Sequence, residues 1–330
     1  MIPTRISFIT FSRCHAAAPL SRADGSATQQ DCLNRLSLIH KMEQSLHHRP
    51  IQNPHPMSAS LRSNLFFLAT ILLSLSPLRT STASAQSSVP SRKEDFHLYL
   101  LIGQSNMAGR GVVPTDQKPH PRVLKLDKEN KWVPSTEPLH FDKPIAGAAL
   151  GTSFAARMAE AAPEPTVIGL IPCAVGGTPL SRWEKDGDLW KQALARLEVA
   201  SQHGTLKGIL WHQGESDSTA SLAPTYGKRL AAMVSDLRTQ ISSPNMPFVA
   251  GHLGTFIVES NPNGTPNLWR KINEEIDSLP SNVPHAAVVP SESLGHKGDR
   301  LHFDTPALRE FGKRYAEAME RLQKSSAAPR

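Results

Sequence analysis

The stretch His97–Met107, HLYLLIGQSNM, decides how the rest of the chain is read. Its first six residues form a short, almost continuous apolar run, as expected of a strand covered on both faces, and it stops abruptly in small and polar residues. Similar runs recur at 166–171 (TVIGLI), 206–211 (LKGILW), 247–251 (PFVAG) and 286–289 (AAVV). Helical spacing lies between them: Phe154 and Met158 are four apart, Tyr226, Leu230, Met233, Leu237 and Ile241 step by four, three, four and four, and Leu268, Ile272, Ile276 and Leu279 by four, four and three. The last helix is the best marked, with Thr305 as cap, Pro306 in the first turn, and Leu308, Phe311, Tyr315, Met319 and Leu322 on one face. Strands alternating with helices predict an α/β fold with a five-stranded parallel sheet and helices on both sides. In such a sheet ligands bind beyond the carboxyl ends of the strands.

The segment from Gly111 to Leu150 breaks this pattern. It carries Pro114, Pro119, Pro121, Pro134, Pro138 and Pro144 without sustained periodicity, and so predicts a long loop after the first strand, either walling a cleft or forming a surface insertion.

The whole chain has 330 residues and a formal charge of +7, room for two domains and a hint of an acidic partner. The charge is concentrated at one end. Residues 1–85 hold eight Lys or Arg and three acids, leaving 28 bases against 26 acids in the remainder. Within that region Met57 opens MSASLRSNLFFLATILLSLSPLRTSTASAQ: one basic residue, an apolar run from Leu65 to Leu75, and Ala83-Ser84-Ala85 before Gln86. This is the pattern of a secretory signal peptide over 57–85, and the apolar run is shorter than the roughly 20 residues that span a bilayer. Residues 1–56, polar and histidine-rich, read as a non-native or disordered extension, with Met57 as the expected start. The expectation is a single domain over 86–330, secreted or periplasmic, with no stable membrane anchor and no nucleic-acid partner. Cys173 is then the one cysteine left, which excludes an intrachain disulfide and reads as a core residue.

The polar sequence sits where the strands end. The first run ends in Gly103-Gln104-Ser105-Asn106-Met107, the second leads to Gly176-Gly177-Thr178, and the third ends in His212-Gln213-Gly214-Glu215-Ser216-Asp217; Asp299-Arg300-Leu301-His302 precedes the last helix. A serine, small residues able to bind an oxyanion, and a histidine with a carboxylate three residues away are the parts that acyl transfer needs. Each alone has a plainer reading: a serine after a strand caps a helix, two glycines make a turn, a histidine supports a core. The serine is also not in a GxSxG elbow, since Met107 stands where the second glycine would be.

Together, GQSNM, GGT, WHQGESD and DRLHFD resemble the blocks of the SGNH hydrolase superfamily, closest to its sialate O-acetylesterase-like branch, carbohydrate esterase family 6, which includes acetylxylan esterases. The resemblance covers about Phe96–Leu322. It implies a flavodoxin-like, three-layer α/β/α fold and a secreted serine esterase that deacetylates carbohydrates, with acetylated xylan or a related polysaccharide as first substrate and O-acetylated sialic acid as second. Many superfamily members carry an asparagine in the third block; this sequence has Gln213, as its closer branch does. The resemblance implies Ser105 as nucleophile, His302 as base, and Asp299 or else Glu215 as the residue orienting His302. It implies an oxyanion hole from the N–H of Ser105, the N–H of Gly176 or Gly177, and the Gln213 amide.

Gln104 and Asn106 are expected to pin the loop around the serine, His212 to be a buried support, and Trp183 and Trp190 to pack in the core. No spacing suggests a metal site, and neither a P-loop nor a GxGxxG fingerprint suggests a nucleotide cofactor. The reading of another class is a non-catalytic carbohydrate-binding protein on the same fold, which would be free to lose one of Ser105, Gln213, Asp299 and His302. All four are present.

Overall fold

The computed structural model describes residues 88–327. The expected signal peptide and the extension before it lie outside the described residues. In chain order the elements are β1 (Phe96–Gly103), a one-turn helix α1 (Ser105–Ala108), β2 (Val123–Leu126), β3 (Trp132–Pro134), α2 (Leu150–Ala161), β4 (Val167–Pro172), α3 (Asp188–Ser201), β5 (Thr205–His212), α4 (Tyr226–Gln240), β6 (Phe248–Gly251), α5 (Trp269–Asp277), a short α6 (Leu279–Asn282), β7 (Ala286–Val289) and α7 (Thr305–Ala327).

The strands form one sheet in the order β3-β2-β4-β1-β5-β6-β7. Every neighbouring pair is parallel except β2 and β3. All five apolar runs of the sequence are strands, but the sheet has seven, because the proline-rich segment contributes β2 and β3 at one edge. At four and three residues these two are too short to show a period. Pro134 is tolerated in β3 because an edge strand has one side free of ladder bonds.

β1 shows why the sheet is central. Phe96, Leu98, Leu100 and Ile102 enter one core with the buried faces of α3, α4 and α5, while Tyr99 and Leu101 enter a second core with α2 and α7. Alternate residues thus face two apolar layers, and a continuous hydrophobic run results. The helix α3 leaves little trace in the sequence, because its buried residues, Leu189, Trp190, Ala193, Arg196, Leu197 and Ala200, include two alanines and an arginine.

The start of α7 differs in detail from expectation. Thr305 is the first helical residue and its hydroxyl donates to the Val112 carbonyl, whereas Asp304 Oδ1 accepts the Ala307 N–H at 2.8 Å and is the side-chain cap. Such caps contribute about 1 kcal/mol. Asp304→Ala is therefore expected to lower the unfolding free energy by about that amount in urea denaturation; no change in the midpoint would remove the capping role.

Candidate active site

The polar blocks meet because β1 lies between β4 and β5. Gly103 pairs with His212 at the ends of β1 and β5, and the Gln104 N–H donates to the His212 carbonyl at 2.8 Å. On the other side, the Cys173 and Val175 N–H groups donate to Leu101 and Gly103, carrying the β1–β4 ladder into the turn with the glycine pair. Gly103 sits at φ +132°, and a Cβ there would run into the His212 carbonyl oxygen; only glycine lets the chain leave β1 so close to β5. Ser105 then begins α1 at the rim.

There His302 Nε2 lies 3.1 Å from Ser105 Oγ, and His302 Nδ1 lies 2.8 Å from Asp299 Oδ2. The other Asp299 oxygen accepts the main-chain N–H groups of Leu301 and His302, at 3.0 and 2.9 Å. Burial acts to raise the Asp299 pKa, but these hydrogen bonds and the imidazole outweigh it, and the carboxyl stays below its ordinary value. Burial pushes His302 below its ordinary value, opposed by Asp299 and assisted by Lys297 and Arg110. A neutral imidazole facing a hydroxyl, with a carboxylate behind it, can take up a proton and be stabilised once charged.

Glu215 makes no contact with His302. Its Oε1 accepts from Asn106 Nδ2 at 2.6 Å. The same Asn106 nitrogen reaches the Leu301 carbonyl at 3.1 Å, and Asn106 Oδ1 accepts the Phe303 N–H at 3.1 Å. Of the two carboxylates considered for orienting His302, the geometry brings Asp299 to it. His212 is fully buried, edge-on to Phe303 and Phe311, and burial holds its pKa down at about 3.

Gln213 is not placed as an oxyanion donor. Its Nε2 lies 2.7 Å from Asp217 Oδ2, and 3.1 Å from both the Thr178 carbonyl and Gln104 Oε1, so both amide hydrogens are committed to buried acceptors. The Tyr226 hydroxyl lies 3.0 Å from the amide oxygen. Gln104 accepts in turn from the Ser216 N–H at 3.3 Å, so these glutamines brace the strand ends against each other.

The turn with the glycine pair is held by residues that sequence reasoning passed over. The Gly176 N–H donates to Asp142 Oδ2 at 2.8 Å, and that carboxylate pairs with Arg110 at 2.7 Å, their side chains 1% and 2% exposed. Gly177, at φ +75°, has an N–H that no acceptor among the described residues takes. Asp142 lies in the segment read as a loop, 32 residues from Arg110, and no spacing announces the pair.

A cavity of about 490 Å³ adjoins this turn, lined by Phe141, Arg182, Asp188 and Gln192 among others. The Arg196 guanidinium lies 4.9 Å from the Phe141 ring centre. Cys173 is a free, buried cysteine whose thiol burial pushes up to about 11, which leaves it protonated at neutral pH. Trp183 and Trp190 are buried, and the Trp183 indole donates to Thr178 Oγ1 at 3.2 Å. Among the described residues no group of three or more His, Cys, Asp or Glu is placed to hold a metal ion, and no helix is long and apolar enough to cross a membrane.

The Gln213 contacts yield a test. Removing a hydrogen bond to a buried charge costs about 1.5–3 kcal/mol. Gln213→Ala is expected to lower stability by that amount in urea unfolding, since Asp217 loses a donor. Unchanged stability would contradict the bracing role.

Comparison with known proteins identifies the family. The family described as "Carbohydrate esterase, sialic acid-specific acetylesterase" matches residues 95–321. A probable carbohydrate esterase of Arabidopsis thaliana is 29% identical over 254 residues, covering 71% of this chain and 92% of that protein. Its crystal structure superposes with a TM-score of 0.62 at 28% identity, over 68% of this chain and 98% of the other. The structure of NanS, at 17% identity, shares the fold with a TM-score of 0.57, over 71% of this chain and 99% of the other. The chain belongs to the sialic acid-specific acetylesterase family of carbohydrate esterases and is a carboxylic ester hydrolase.

Proposed function

We propose that the protein is a secreted or periplasmic serine esterase that removes acetyl groups from carbohydrate hydroxyls through an acetyl-enzyme on Ser105. The observation that carries this reading is the line from Ser105 Oγ to His302 Nε2 to Asp299, at 3.1 and 2.8 Å. His302 takes the Ser105 proton as Oγ attacks the ester carbonyl. The tetrahedral intermediate collapses, the sugar oxygen leaves with that proton, and the acetyl group remains on Ser105. Water then attacks the acetyl-enzyme with His302 again as base; acetate departs and Ser105 regains its proton. Asp299 keeps the imidazole oriented and stabilises its charged form.

The developing oxyanion needs donors that nothing else occupies. The N–H groups of Ser105, at the start of α1, and of Gly177 meet that condition, whereas those of Gly176 and the Gln213 amide are already used. The cavity beside the turn, with the Phe141 ring and the polar side chains of Arg182, Asp188 and Gln192, supports a substrate with sugar units next to the acetylated one. Acetylated xylan or a related polysaccharide is the first substrate proposed, and O-acetylated sialic acid, which the family description names, the second.

Acetate release from acetylated xylan and O-acetylated sialic acid tests this directly. Ser105→Ala is expected to lower kcat at least 10³-fold and Asp299→Asn on the order of 10³- to 10⁴-fold, both with unchanged folding. Equal release by wild type and Ser105→Ala would overturn the serine mechanism, and release from neither substrate would overturn the specificity.

The pH profile gives a second test. His302 works as a base only when neutral, and burial lowers its pKa below 6.5, so the base is lost only as pH falls through that lowered value. The acid limb of kcat/KM is expected to have its midpoint below 6.5; a midpoint above 7 would contradict His302 as the base.

A further inference from the structure

Glu215 is buried beneath the site, takes no part in the steps above and touches neither Ser105 nor His302. Its side chain meets two groups. Oε1 accepts from Asn106 at 2.6 Å, the same oxygen lies 3.9 Å from His212 Nε2, and Oε2 is buried with no partner among the described residues. His212 Nε2 is also buried and unpartnered.

The protons in this cluster can be assigned from the contacts. The Tyr315 hydroxyl donates to the Trp211 carbonyl at 2.8 Å, so its oxygen is an acceptor for His212 Nδ1 at 3.3 Å. His212 therefore carries its hydrogen on Nδ1 and turns the lone pair of Nε2 toward Glu215. No Lys or Arg pairs with Glu215 among the described residues, and the carboxylate that acts on it, Asp217, has the same sign. Burial outweighs the Glu215 main-chain N–H and the Asn106 amide, which favour the charged form, and a charged Glu215 would also face a lone pair and a like charge that a protonated one does not.

Asn106 carries the effect to the catalytic pair. Its carboxamide grips the main chain on each side of His302, donating to the Leu301 carbonyl and accepting from the Phe303 N–H, both at 3.1 Å. The orientation of the amide is fixed, because the nitrogen faces two oxygens and the oxygen faces an N–H. We propose that Glu215 is a positioning residue for the Ser105–His302 pair: as an uncharged carboxylic acid it fixes the Asn106 carboxamide, and Asn106 holds His302 at Ser105 through the backbone of its two neighbours. Burial pushes the Glu215 pKa up to about 7 while holding His212 down at about 3, so below neutral pH the proton in this cluster rests on the carboxyl group rather than on the imidazole.

This inference rests on the serine–histidine reading, and its test must separate the two. The readout is the rate constant for labelling of Ser105 by a fluorophosphonate probe, which reports activation of the serine without reference to the sugar. The rate constant, unlike the amplitude, is insensitive to the fraction of protein folded. Misplacing a catalytic group by about 1 Å costs up to about 10²-fold. Asn106→Ala and Glu215→Ala are expected to be labelled about 10- to 100-fold more slowly than wild type. Glu215→Gln, which keeps an uncharged acceptor in place, is expected within about threefold. Glu215→Met, which keeps the volume without an acceptor, should follow Glu215→Ala and replaces it if the alanine variant does not fold.

Labelling of Glu215→Ala or Glu215→Met at the wild-type rate would overturn the positioning role. Glu215→Gln as slow as the alanine variant would show that the charge is required and overturn the neutral acid. If Ser105→Ala is labelled as fast as wild type, the serine mechanism falls and this inference with it.

Discussion

A single buried carboxamide joins the two parts of the chain that must meet. Asn106, next to the serine on the first turn after β1, hydrogen-bonds Leu301 and Phe303 nearly 200 residues later. Buried amide groups cannot be left unsatisfied without a cost of several kcal/mol, so this clasp is also a demand on the fold. β1 must sit between β4 and β5, and the loop before α7 must return across their carboxyl ends. The Phe303 ring secures that return, packed with Phe256 and Phe311 at centroid distances of 5.0 and 5.1 Å. His302 is thus anchored through its neighbours' main chain, and its ring is held between Asp299 and Ser105.

The site divides into a dry scaffold and a wet working edge. Gln104, Asn106, His212, Gln213 and Asp217 are almost wholly buried, and their polar atoms largely satisfy one another. The buried Arg110–Asp142 pair extends the scaffold to the Gly176 side of the serine. Such a pair gains little net stability, because desolvation offsets its attraction, but its geometry is stiff, and Asp142 uses its second role to fix a main-chain N–H. Asp299 lies in an exposed loop, where Arg300 adopts φ +51°. Water can reach this edge, as hydrolysis of an acyl-enzyme requires.

Much of this was legible in the sequence, for reasons that differ by element. The five apolar runs are strands because burial on both faces removes alternation, and the ends of the first three carry the polar blocks that meet at the rim. The serine, histidine and Asp299 were legible as residue types at strand ends and at a short spacing. What failed to show was direction and long-range pairing. Gln213 is the right kind of residue to bind an oxyanion, yet its amide is turned to Asp217, and no one-dimensional pattern reveals where a side chain points. For the partner of His302 the sequence favoured Asp299 by its three-residue spacing and left Glu215 as the alternative; in the fold the loop carrying Asp299 closes on the ring. Arg110 and Asp142, and the short strands β2 and β3, were hidden because a proline-rich stretch offers neither period nor motif.

The claim on which the rest converges is that catalysis passes through an acyl group on Ser105. The most direct measurement is to mix the enzyme with an acetylated saccharide, quench in acid during turnover, digest, and locate any acetylated peptide by mass spectrometry. The expected result is acetylation of Ser105 in wild type, accumulating further when Asp299→Asn slows the water step more than acylation. Acetyl transfer to another residue, or steady turnover with Ser105 unmodified under every quench condition, would contradict the mechanism.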